Sequence, residues 1–126
     1  MERPDFAVEL RQRGGIAVLD LRGQIDAAAN QDLSDAYVEA SDTGAATILL
    51  NFTETTYINS TGIALLVGLL ARARAERQVV VACGLSDHYR EIFEITRLAD
   101  FMRLEADEES AVQGASQEAE RPRMRR

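Results

Sequence analysis

Tyr57-Ile58-Asn59-Ser60-Thr61-Gly62-Ile63-Ala64-Leu65-Leu66 is the stretch on which the reading of this chain turns. Small polar residues stand directly before an apolar run. Their side chains accept hydrogen bonds from the free N–H groups of a first helical turn, so the pattern predicts a helix that starts at Asn59-Ser60-Thr61-Gly62 and continues to Arg77. At helical spacing Ile63, Leu66, Leu69, Leu70 and Ala73 share one side and form the natural core stripe. Thr61, Ala64, Gly68, Ala71 and Ala75 fall on the other side, bordered by Arg72, where a solvated helix would carry Glu or Lys. Such a small-residue face serves either close approach by a partner or cover by another helix of the same chain.

Outward from this segment the chain alternates between strand and helix signals. Phe6, Val8 and Leu10 alternate with polar residues, Gly14-Gly15 interrupts, and Ile16 to Leu21 resumes the pattern, which predicts a two-stranded hairpin ended by Gly23. Asp26 is placed to cap a helix over Ala27 to Ala40, with Leu33, Ala36, Tyr37 and Ala40 turned inward. Ala46 to Phe52 is apolar without alternation, as in a strand covered on both faces. Val79 to Cys83 reads as a further buried strand ended by Gly84. Ser86-Asp87 then caps a third helix through Leu98, with Ile92, Ile95 and Ala99 as its apolar stripe. Phe101 to Leu104 reads as a short edge strand, and Asp107 to Gln113 as a short helix. The order is that of an α/β fold. It predicts one domain over residues 1–113 and a flexible charged tail over 114–126, which ends Arg121-Pro122-Arg123-Met124-Arg125-Arg126.

Composition narrows the function. A chain of 126 residues, 46% hydrophobic and 28% charged, suits one soluble globular domain. Its formal net charge of −7, with no lysine and no arginine stripe in the part expected to fold, argues against a nucleic-acid partner. The start lacks the apolar stretch of a signal peptide, and the longest apolar run, Ile63 to Ala71, is too short to cross a bilayer, so a cytoplasmic protein is expected. The single cysteine, Cys83, lies within an apolar strand and reads as a small buried hydrophobe. The single histidine, His88, reads as a solvated residue at a helix start. No glycine pattern cradles a phosphate. Asp107-Glu108-Glu109 lacks the spacing of a calcium loop and reads as solvated surface. No catalytic residue, metal or cofactor is expected.

The Tyr57–Leu66 segment resembles the signature of the STAS family, in which a strand leads through Asp-Ser-Ser/Thr-Gly-Leu into a helix. Leu21-Arg22-Gly23-Gln24-Ile25-Asp26 is similar to that family's Gly-Glu-Leu-Asp turn. Val80 to Ser86, followed by Ile92 to Leu98, is similar to its last buried strand and third helix. The resemblance spans about residues 5 to 105. It implies the STAS fold: a mixed central β-sheet with an N-terminal hairpin and about four helices. It also implies a bacterial anti-sigma factor antagonist that works by partner switching, binding an anti-sigma factor that is itself a serine kinase. Carried over by position, the phospho-acceptor is Ser60, with Thr61 as second choice, and the partner-binding residues are Asp26, Asn59, Ser60, Thr61, Ala64 and Gly68. Monomer or weak dimer is the expected state. Asn59 stands where the family has Asp; Asn caps a helix as well but brings no charge for a kinase to read. A phosphorylation-independent antagonist or scaffold is therefore a second reading, and a small-molecule sensor or enzyme a third.

Overall fold

Hydrophobic alternation sets the faces of a five-stranded sheet in the computed structural model, which describes residues 5–120, with side chains described over 5–115. In chain order the elements are β1 (Phe6–Arg13), β2 (Ile16–Ile25), a 3₁₀ turn (Ala27–Ala29), α1 (Asn30–Asp42), β3 (Thr47–Ile58), α2 (Ser60–Ala75), β4 (Val79–Cys83), α3 (Asp87–Ile95), a second 3₁₀ turn (Leu98–Asp100), β5 (Arg103–Glu105) and α4 (Glu108–Glu120). The strands lie in the order β1-β2-β3-β4-β5. β1 and β2 form the antiparallel hairpin, and every later pairing is parallel, with a helix in each crossover.

The absence of alternation in the middle strands has the cause inferred from sequence. Ala17, Leu19, Ile48, Leu50, Val80 and Ala82 pack under α1, α2 and α3 together with Leu33, Tyr37, Leu66, Leu70 and Phe93. Their neighbours Ile16, Val18, Leu49, Val81 and Cys83 face the opposite way and are covered by Ala111 and Ala115 of α4. Both faces of the inner strands are thus shielded.

Several elements run differently from the sequence reading. Gly23 does not end β2: it takes a left-handed φ of 88°, and the strand continues to Ile25 through two register shifts. β3 extends beyond Phe52 to Ile58, because Thr53, Thr55, Thr56 and Tyr57 suit an extended chain even where no helix covers them. α1 starts at Asn30, after a 3₁₀ turn that occupies the first of the predicted helical residues. α3 is shorter than predicted. Arg97 turns left-handed with φ 71°, so the helix stops at Ile95, which is exposed, and Phe93 is the buried residue of that helix. β5 is Arg103–Glu105, with Phe101 exposed before it.

α4 is longer than the expected Asp107 to Gln113 segment. It reaches Glu120 and buries Ala115, so the boundary drawn between residues 113 and 114 falls inside a helix. The part of the expected tail from 121 onward lies outside the described residues. The acidic cluster is likewise not simply solvated. Asp107 accepts a 2.8 Å hydrogen bond from the Ser110 N–H, and Glu108 receives Arg11 at 2.7 Å and Arg13 at 2.8 Å. The Arg11 guanidinium holds the carboxyls of both Asp20 and Glu108 below their usual range.

Candidate functional site

Parallel pairing of β2 with β3 puts Ile25 beside Ile58, so the chain leaves the two strands at adjacent points, into Asp26 and Asn59. The Asn59 N–H donates to the Ile25 carbonyl at 3.2 Å. The Asn59 side-chain oxygen then accepts from the Gly62 N–H at 2.8 Å, and its backbone carbonyl accepts from Ile63 at 2.9 Å. Asn59 is therefore the N-cap of α2. Ser60 and Thr61 are the first two helical residues and both are exposed.

Three residues after the cap, where a Glu or Gln would complete a capping box, stands Gly62. Glycine is required there by space: a methyl group built on Gly62 would run into the Ile25 carbonyl oxygen. The turn is thus pinned against β2. It is pinned from the other side by a residue that sequence reasoning passed over, because the Ile58 N–H donates to the Tyr89 hydroxyl of α3 at 3.0 Å. The only signal for Tyr89 was its place one turn before Phe93 on the inward side of α3.

Asp26 caps the 3₁₀ turn and not α1 itself: its carboxylate accepts from the Ala28 N–H at 3.0 Å. It is close to the α2 start through the Ile25–Asn59 bond. Among the described residues no hydrogen bond or ion pair joins Asp26 to Asn59 or Ser60, and the Ser60 hydroxyl is held by no hydrogen bond.

The small-residue side of α2 is open. Ala64, Gly68, Ala71 and Ala75 are all exposed, and a Cβ added at Gly68 meets nothing within 4 Å. No helix of the described chain covers this face, which removes one of the two readings made from sequence. Ala64 and Gly68 line a groove of about 260 Å³ between α1 and α2, walled by Asn30, Ser34, Tyr37 and Arg72. At one end the Tyr37 hydroxyl donates to Glu76 at 2.7 Å, Arg72 reaches the same carboxylate at 3.2 Å, and the Arg72 guanidinium lies 5.1 Å over the Tyr37 ring. Burial and the hydrogen bond to Glu76 push the Tyr37 hydroxyl up to about 12. A larger hollow of about 630 Å³ lies at the other end of α2, beside Arg74, Arg77, Val79 and Phe101, and shares no lining residue with the Asn59–Gly62 turn.

The chemistry of the remaining reactive side chains is muted. Burial pushes the Cys83 thiol up to about 12, which keeps it protonated. His88 is exposed, with its ring 4.9 Å from that of Tyr89. Among the described residues no group of three His, Cys, Asp or Glu side chains is placed to hold a metal ion. None of the described helices is long and apolar enough to cross a membrane.

Comparison with known proteins covers most of the chain. The family profile described as "STAS domain" matches residues 7–111. The anti-sigma-B factor antagonist of Listeria monocytogenes is 27% identical over 101 residues, which are 79% of this chain and 89% of that protein. Among solved structures, the phosphorylated form of the Bacillus cell fate determinant SpoIIAA aligns with a TM-score of 0.66 and 25% identity, over 86% of this chain and 99% of that one. An anti-sigma factor antagonist from Mycobacterium paratuberculosis shares the fold with a TM-score of 0.77 at 14% identity, over 92% of this chain and 99% of the other.

Proposed function

The chain belongs to the STAS domain family, and on that premise we propose that it is a cytoplasmic anti-sigma factor antagonist, a binding protein and not an enzyme, that docks an anti-sigma factor kinase through the start of α2 and is switched off by phosphorylation of Ser60. The observation that carries this reading is the Asn59–Gly62 turn. It is held rigidly by Ile25, Asn59 and Tyr89, yet it presents the Ser60 hydroxyl, bound to nothing among the described residues, beside an uncovered groove floored by Ala64 and Gly68.

A phosphate on Ser60 adds about −1.5 to −2 charge at the first position of a helix. The α2 macrodipole favours an anion there by about 0.3–1 kcal/mol. The domain therefore keeps its fold when modified, in keeping with a relative of known structure in its phosphorylated form. Release of the partner then follows from bulk and charge at the rim of the docking groove, with Asp26 close by adding to the negative field. Small side chains at Ala64 and Gly68 leave the backbone of α2 accessible to a partner helix.

Incubation with ATP and the cognate anti-sigma factor, followed by mass spectrometry, tests the assignment. Phosphate on Ser60, with its loss in Ser60→Ala and weakened binding in Ser60→Asp at unchanged circular dichroism, is expected. Phosphate confined to Thr61, or normal binding by Ser60→Asp, contradicts it. Asn59 favours a second reading within the family, because it caps α2 without charge. A chain that binds the anti-sigma factor and never takes up phosphate is a phosphorylation-independent antagonist or scaffold.

A further inference from the structure

The helix that covers the face of the sheet away from Ser60 is attached in an unusual way. Of its described residues α4 buries only Ala111 and Ala115, with Val112 half-buried, over the strip formed by Ile16, Val18, Leu49, Val81 and Cys83. Its first turn is fastened by charge: Glu108 to Arg11 at 2.7 Å and to Arg13 at 2.8 Å, and Glu109 to Arg13 at 2.8 Å. Arg11 is itself braced by Asp20 at 2.6 Å. The Arg103 guanidinium lies against Gly114, where a side chain would crowd it. α4 follows every strand in the chain and contributes to no strand pairing, so its departure breaks no ladder.

We propose that α4 is a strap that lifts from the sheet as a unit while the sheet and the other three helices stay folded, with the contacts of Arg11 and Arg13 to Glu108 as its fastener. Two properties support this. The bed beneath α4 is apolar but is gripped by alanines, which give little contact area. The fastener consists of partly exposed ion pairs, which salt weakens. The strip lies on the opposite face of the sheet from α2, so opening and docking at Ser60 are separate events.

Cys83 is the sole thiol, fully buried beneath α4, and its labelling reports lifting directly. The experiment is the rate of reaction of the full chain with a disulfide reagent of the Ellman type, at low and high salt, beside global stability from urea unfolding. The strap predicts labelling faster than global unfolding allows, faster again at high salt, accelerated about fivefold by Glu108→Gln, and unchanged by Phe93→Ala, which lowers global stability from the opposite face. Arg13→Gln should act in the same direction as Glu108→Gln. Labelling that tracks global unfolding in the wild type and both charge variants overturns the proposal, as does labelling that neither salt nor the charge variants change.

Discussion

The two faces of the sheet are built on different terms. On one face α1, α2 and α3 interlock large side chains, with Tyr37, Phe52, Leu66 and Phe93 almost wholly buried and the Phe52 and Phe93 rings 5.7 Å apart edge to face. On the other, α4 lies on its bed through alanines and is tied down by arginine–glutamate pairs. Most of the packing free energy thus lies on the face that also carries the Asn59–Gly62 turn. The lesson is that the candidate docking site rests on the rigid side of the molecule, while the side that can move is turned away from it.

The contrast is broken or sharpened first by Phe93→Ala. Phe93 is the buried residue of α3 and meets Phe52 edge to face, so its truncation should cost about 3–5 kcal/mol of stability. Urea unfolding measures it. A loss below about 1 kcal/mol would place α3 among loosely held elements and erase the difference between the faces. Next in size is Gly62→Ala, where the new methyl must displace the Ile25 carbonyl and should cost about 1–3 kcal/mol. A neutral result there would show that α2 is not pinned to β2. Smallest is removal of residues 114–126, which takes away the buried Ala115 on the α4 face and should cost about 1 kcal/mol, near the value of one buried methyl. A loss of several kcal/mol on truncation would mean that α4 is part of the main core.

Much of this was legible in the chain. The core stripe Leu66, Leu69, Leu70, Ala73 and the helix-start residues follow from periodicity and cap chemistry, both of which depend on neighbours within one turn. The fold class followed from the order of strands and helices. What sequence could not supply was distance across the chain. Tyr89 of α3 accepts from Ile58 at the end of β3, 31 residues earlier, and nothing in its own neighbourhood announces that contact. The acidic Asp107-Glu108-Glu109 run looked solvated because its arginine partners are in β1, at the other end of the sequence. α4 was cut short because an alanine-lined helix carries almost no apolar pattern, although two of those alanines are buried. Gly62 and Gly68 look alike in sequence, yet one is crowded by backbone and the other opens onto solvent.

That last difference gives the most direct test of the docking assignment. Arg at position 68 has room, since nothing lies within 4 Å of a Cβ there, and Arg is a better helix former than Gly by up to about 1 kcal/mol. Measuring melting temperature and affinity for the anti-sigma factor on the same Gly68→Arg variant separates stability from binding. The account predicts a melting temperature equal to or above the wild type with binding abolished. A variant that stays folded and binds normally would contradict it.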